Sequence, residues 1–210
     1  MVSLPNEFFD TYLSARMRNI GRLKNRDFLM GGGLSLFYIF TREKGNPFEI
    51  ISFRLYGSLL PRNEYLEYWM QYAFNVRDCT QKIGIEESVK IRCDFLEKYY
   101  ARKLILDPTC LVALEIVGKQ SKTYKNLKEN PLCIILFIDH SYFFINKGIQ
   151  LNCTAEIIDT DSKLFKFLDD IRYINCFTES LPKAECAYKF KINECWYFEA
   201  PSDRDIQKLS

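Results

Sequence analysis

Histidine is almost missing from this chain: the 210 residues include one, His140. A single imidazole speaks against a Ser-His-Asp hydrolase and leaves no two-histidine metal site. His140 follows a strand-like run and reads as a turn residue. Metal-ligand spacing is lacking too, because none of the eight cysteines, at 79, 93, 110, 133, 153, 176, 186 and 195, forms a C-x-x-C pair. Most lie in apolar or strand-like runs such as Leu132-Cys133-Ile134 and Glu194-Cys195-Trp196, where a free cysteine acts as a small buried hydrophobe. No metal is expected. No apolar run reaches the roughly 18 residues of a membrane span, and the first residues (MVSLPNEFFDTYLSARMRN) lack a signal-peptide core. The chain is expected to be cytoplasmic, with no membrane partner. Net charge is also slight: 29 Lys and Arg against 27 Asp and Glu give +2, so any affinity for polyanions must be local.

What the chain does have is apolar material. With 48% hydrophobic and 15% aromatic residues it has enough for a core in one domain spanning 1–210. The expected divisions are an N-terminal amphipathic helix in 1–30, a first hairpin in 34–60, a mainly helical insertion in 61–107, and β-rich sequence in 108–200. No internal repeat or low-complexity linker is visible.

From Asn6 to Lys24, Phe9, Leu13, Met17, Ile20 and Leu23 recur at helical steps, with Asn6 as a candidate cap. Arg16, Arg18, Arg22 and Lys24 are assigned to the polar face. That face suits nucleic acid or a membrane surface, or more simply solvent. Gly31-Gly32-Gly33 then ends or hinges the segment; without a Lys-Ser/Thr pair it is no phosphate loop. "LSLFYIFT" and "FEIISFRLY", joined by "REKGNP", predict an antiparallel hairpin. A helix follows from Asn63, again a candidate cap, with Leu66, Trp69, Met70, Ala73 and Phe74 on one side. "ESVKIRCDFLEKYYARKL" alternates like a strand, but Val89, Cys93, Leu96 and Tyr100 also form a helical stripe. Its length and its Glu and Lys content favour helix.

Beyond Asp107-Pro108 the pattern turns to strands. "CLVALEIV" and "LCIILFID" flank "GKQSKTYKNLKENP", which reads as a loop with one helical turn. "SYFFIN" and "GIQLNCTAEIID" continue as strands up to a Thr160 cap. From that cap an amphipathic helix turns Leu164, Leu168, Ile171 and Ile174 inward. In the last strand, "CAYKFKINECWYF", Tyr188, Phe190 and Ile192 alternate with Lys189, Lys191 and Asn193. This order predicts an α+β protein built on a closed or nearly closed antiparallel barrel.

The loop with Ser121, Lys122, Thr123, Asn126-Leu127 and Asn130-Pro131, followed by Thr154-Ala155-Glu156-Ile157-Ile158-Asp159, resembles the FMN-binding split-barrel family of pyridoxamine phosphate oxidase-like and flavin-reductase-like proteins. The resemblance covers about the C-terminal half and extends weakly to "TREKGNPFEIISF". It implies an antiparallel split β-barrel with covering helices, here carrying a helical insertion, and a homodimer with the flavin near the subunit interface. It implies FMN as cofactor, with Ser121, Lys122, Thr123 and Asn126 around the phosphate and Ser52, Phe53 and Arg54 near the ring. A cation with hydroxyl and backbone donors is what a phosphate dianion needs. The implied activity is that of an FMN-binding oxidoreductase on a small molecule or another flavin; a deazaflavin-dependent enzyme, a haem-handling relative and a non-catalytic FMN-binding protein fit the same pattern. The reading from another class is a non-enzymatic interaction protein that binds nucleic acid through the basic N-terminal helix and the aromatics of "SYFFINKG".

Overall fold

The computed structural model describes residues 2–25, 36–42, 50–101, 103–139, 147–176, 183–199 and 207–209. The glycine triplet, most of the first hairpin turn, His140 and "SYFFIN" lie outside the described residues. The protein is α+β. Among the described residues five α-helices, α1 (Asn6–Lys24), α2 (Asn63–Thr80), α3 (Ile85–Ala101), α4 (Lys122–Glu129) and α5 (Lys163–Asn175), accompany seven strands. The strands are β1 (Leu36–Arg42), β2 (Ile50–Ser58), β3 (Cys110–Glu115), β4 (Leu132–Asp139), β5 (Lys147–Ile158), β6 (Cys186–Glu199) and β7 (Gln207–Leu209). All pairings are antiparallel, in the order β3-β2-β1-β4-β5-β6-β7, and β3 pairs with β6 as well as with β2. The last short strand was not foreseen from the sequence.

Alternation decides what each strand buries. Ile135 and Phe137 of β4, Leu151 and Cys153 of β5, and Tyr188, Phe190 and Ile192 of β6 all face the core. All eight cysteines are free and six of them are buried, as the small-hydrophobe reading predicts. Burial pushes the Cys110 and Cys133 thiols up to about 12, so neither is a ready nucleophile.

The segment between β2 and β3 holds α2 and α3. It holds an aromatic cluster in which Trp69 meets Phe95 at 5.5 Å and Tyr99 at 5.0 Å, both edge-on. The Tyr99 hydroxyl donates to the Leu59 carbonyl at 2.7 Å and ties the insertion to the end of β2. Trp69, Ala73 and Val76 form the buried side of α2, whereas Phe74, which the periodicity also assigns to that side, is 56% exposed. α1 packs on α3 through Phe9, Leu13, Ile20 and Leu23. Among the described residues no helix is long and apolar enough to cross a membrane.

Three local expectations are corrected. The cap of α5 is Ser162, whose hydroxyl accepts from the Phe165 N–H at 3.1 Å, and not Thr160. Asn6 and Asn63 are first helical residues after Pro5 and Arg62, with no side-chain cap bond. Arg16 does not lie on a solvated face: it is 3% exposed, donates to the Tyr12 hydroxyl at 2.9 Å and lies 4.9 Å and 5.5 Å from the centres of the Tyr12 and Tyr100 rings. A guanidinium is weakly hydrated and stacks on aromatics, so a helical arginine can turn inward where a lysine would not. Lys24 meets Glu97 at 2.7 Å, which leaves Arg18 and Arg22 as the rest of the basic face on which the nucleic-acid reading depends.

A second buried arginine closes the C-terminal end of α5. Arg92 of α3 donates to the carbonyls of Tyr173, Ile174 and Cys176 and lies 4.5 Å from the centre of the Tyr173 ring. Carbonyls at a helix end lack the N–H partners of the next turn, and the Tyr173 oxygen also accepts from the Cys176 N–H at 3.3 Å. Arg92→Met is expected to cost about 2 kcal/mol, the scale of a charged donor lost from buried acceptors. Urea denaturation checks this, and an unchanged midpoint would overturn the capping role.

Candidate functional site

The outward faces of β1, β4, β5 and β6 form a groove of about 620 Å³, within the usual range for small-molecule sites. Strand register builds it. Phe40 pairs with Ile134, Ile134 with Asn152, and Asn152 with Glu194, while Leu136 pairs with Gln150 and Gln150 with Trp196. The β1 and β4 side is therefore apolar, with Phe40, Leu132, Ile134 and Leu136, and the β5 and β6 side is amide-rich, with Gln150, Asn152 and Asn193. Asn130, at the end of α4, closes one corner. Leu132 and Ile134 are 60% and 39% exposed, unusual values for large apolar side chains in a sheet.

The polar side is internally ordered. Asn152 Nδ2 donates to Glu194 Oε2 at 2.8 Å, Trp196 Nε1 donates to the same oxygen at 3.3 Å, and Gln150 Nε2 donates to Asn152 Oδ1 at 3.0 Å. Asn193 Nδ2 donates to the Thr154 hydroxyl at 2.7 Å. None of Gln150, Asn152, Asn193 and Glu194 was singled out as a site residue from the sequence. The available signal was the polar phase of β5, Gln150-Asn152-Thr154, alternating with Leu151, Cys153 and Ala155.

The segment taken for a loop with one helical turn is the eight-residue helix α4. Ser121 is its cap, accepting from the Tyr124 N–H at 3.0 Å. Thr123 and Asn126 face inward, 2% and 6% exposed, and Asn126 Nδ2 donates to the Thr41 hydroxyl at 3.2 Å. Lys122, Lys125 and Lys128 are exposed. Four of the expected cofactor residues, Ser121, Lys122, Thr123 and Asn126, thus share one short helix and its cap. Its Asn130 end lines the groove, and Ser121 stands at the other end, about 14 Å away at 1.5 Å per residue. Ser52, Phe53 and Arg54 of β2 pair in register with Phe40, Ile39 and Tyr38, one strand beyond the apolar wall.

Behind the cap lies a buried carboxyl. Glu115, 1% exposed, accepts from the Val117 N–H at 3.1 Å through Oε1, while Oε2 and the buried Tyr188 hydroxyl make no hydrogen bond of good geometry. Gly118 turns the chain there at φ 67°, and a Cβ on it would collide with the Glu185 side chain. The ring side of a flavin fits the groove, one apolar wall for its face and amides for its edge. The phosphate side fits less fully, since Thr123 is buried and one acceptor position of Ser121 is taken by its own helix.

Neither the family models nor the curated proteins compared give a match. Among solved structures, HupZ of Group A Streptococcus is similar at a TM-score of 0.45 and 10% identity, over 92% of this chain and 98% of that one. A Clostridium acetobutylicum protein related to general stress protein 26, of the pyridoxine phosphate oxidase family, gives 0.41 and 12%, over 91% and 95%. An F420 reductase gives 0.41 and 10%, over 77% and 89%. At these TM-scores and identities the likenesses carry no argument about this chain's function.

Burial raises the Glu115 carboxyl above the usual range, although the N–H groups of Val117 and Ile116 and the hydroxyls of Ser121 and Tyr188 favour its charged form. A raised value means that the fold prefers the protonated group; its contribution to stability is complete below the ordinary value of 4.5 and is lost as pH rises through the folded-state value. Glu115→Gln, which keeps an acceptor for Val117, should match the parent in acid and melt at a higher temperature than the parent at neutral and mildly alkaline pH. Melting temperature against pH reads this; a gap that does not change with pH would refute the assignment.

Proposed function

We propose that the protein is a flavin-binding oxidoreductase of the split-barrel type, with FMN as cofactor, acting as a homodimer on a small molecule or on a second flavin. The observation that carries this reading is the two-walled groove on the outward face of β1, β4, β5 and β6, apolar on one side and amide-lined on the other. The pairing of β6 back onto β3 supports the barrel. The bound flavin supplies the hydride chemistry. This chain's residues position it: Phe40, Ile134 and Leu136 take the ring face, Gln150, Asn152 and Asn193 its polar edge. In this reading Lys122 and the Ser121 hydroxyl hold the phosphate at the head of α4, with Ser52, Phe53 and Arg54 completing the ring's surroundings from β2. Exposed Leu132 and Ile134 support a second copy packed over the same face, because contiguous apolar surface of this kind marks an interface.

Freshly purified protein should show bands at about 375 and 450 nm, where oxidised flavins absorb. FMN titration should saturate at one per chain, and Lys122→Ala should weaken it by about tenfold, the loss of one charge-assisted contact. A colourless protein that takes up no FMN would end the proposal.

A further inference from the structure

The hydrogen-bond chain on the polar side of the groove has a direction, and that direction selects a ligand. Glu194 sits at its base. A carboxylate only accepts and an indole N–H only donates, so the groups facing Glu194 Oε2 are fixed as donors: Trp196 Nε1 and Asn152 Nδ2. With its nitrogen committed there, Asn152 turns its carbonyl oxygen along β5, and Gln150 must meet it with Nε2. The amide orientations of both residues follow from the charge of a third. Gln150 is left with a carbonyl oxygen and one N–H at the groove, opposite the apolar Leu136. At the other corner, Asn130 uses its oxygen on the Leu132 N–H and keeps its NH₂, while Asn193 uses its nitrogen on Thr154 and keeps its oxygen.

Resting on the flavin-site reading above, we propose that the groove selects planar heterocycles with a carbonyl–N–H–carbonyl edge, and that Gln150, oriented by Glu194 through Asn152, is the residue that reads it. An amide that presents C=O beside N–H pairs with such an edge in a bidentate way, the ligand's N–H donating to Oε1 and one of its carbonyls accepting from Nε2. The edge belongs to the pyrimidinedione ring shared by flavins and 5-deazaflavins. A haem has none, offering only propionates and hydrocarbon at its rim. Of the cofactors compatible with the sequence, the groove therefore takes the first two and refuses the third. Glu194 is a positioning residue, acting through Asn152 and not by contact.

The test uses fluorescence titration of the full chain with lumiflavin, which has the edge and no phosphate, and with 3-methyllumiflavin, in which the edge nitrogen is blocked. The parent should bind lumiflavin about tenfold more tightly, the scale of a hydrogen-bond pair left unmade. Glu194→Met, which removes the acceptor that fixes the Asn152 amide, should abolish that preference while 3-methyllumiflavin binds as before. Gln150→Met removes the reading group itself and should bring the two ligands to similar affinity, with circular dichroism confirming the fold of each variant. Equal affinity of the parent for the two ligands would overturn edge recognition and leave the flavin site standing. FMN binding without lumiflavin binding would do the same, placing the affinity in the phosphate. Failure to bind FMN and both lumiflavins would overturn the inference together with the reading on which it rests.

Discussion

β5 is hydrogen-bonded along both edges, to β4 from Lys147 to Thr154 and to β6 from Lys147 to Ile158. The outward face depends on that double pairing. Side chains of a strand alternate, so a slip of one residue would carry Leu151 and Cys153 to the outside and Gln150 and Asn152 into the core. Burial of Leu151 and Cys153 on one side is what holds the two amides on the other. The β-bulge at Asn152/Cys153 lies where Asn152, Asn193 and Glu194 converge, and an irregularity of this kind re-aims side chains at the cost of ladder regularity. The groove is thus a by-product of core packing on the opposite face of the same strands.

Charge is handled in the helical layer by means that composition does not show. Arg16 is sheltered between tyrosine rings and Arg92 is spent on the carbonyls that end α5. Both use the flat, weakly hydrated guanidinium. Asp169 and Asp170, by contrast, share Arg77 at 2.9 and 2.8 Å and clamp α2 to α5. Arginines thus join α1, α2, α3 and α5, and the groove is left to the sheet.

α4 shows how a polar segment can be both a connection and a scaffold. Its first turn is capped by Ser121; its middle bonds to β1 through Asn126 and Thr41; its end delivers Asn130 to the groove. The Lys, Ser and Thr residues that look equivalent in sequence are divided by the helix into solvent-facing lysines and core-facing Thr123 and Asn126. One turn of helix, about 100° per residue, is enough to make that division.

The apolar alternation of β4, β5 and β6 and the 3.6-residue stripes of α1, α2 and α5 follow from residue spacing, which is local; the α3 spacing suits strand and helix alike, and there length and Glu and Lys content choose helix. The sequence also marked Ser121 to Asn130 as chemically distinct. Packing between distant segments turns Arg16 inward, makes Ser162 and not Thr160 the cap of α5, and brings Gln150, Asn152, Asn193 and Glu194 together across β5 and β6. Those outcomes depend on partners far away in the chain: Tyr100 for Arg16, and β6 for the amides of β5. Spacing along one segment records its own periodicity and carries no trace of the strand that will lie beside it.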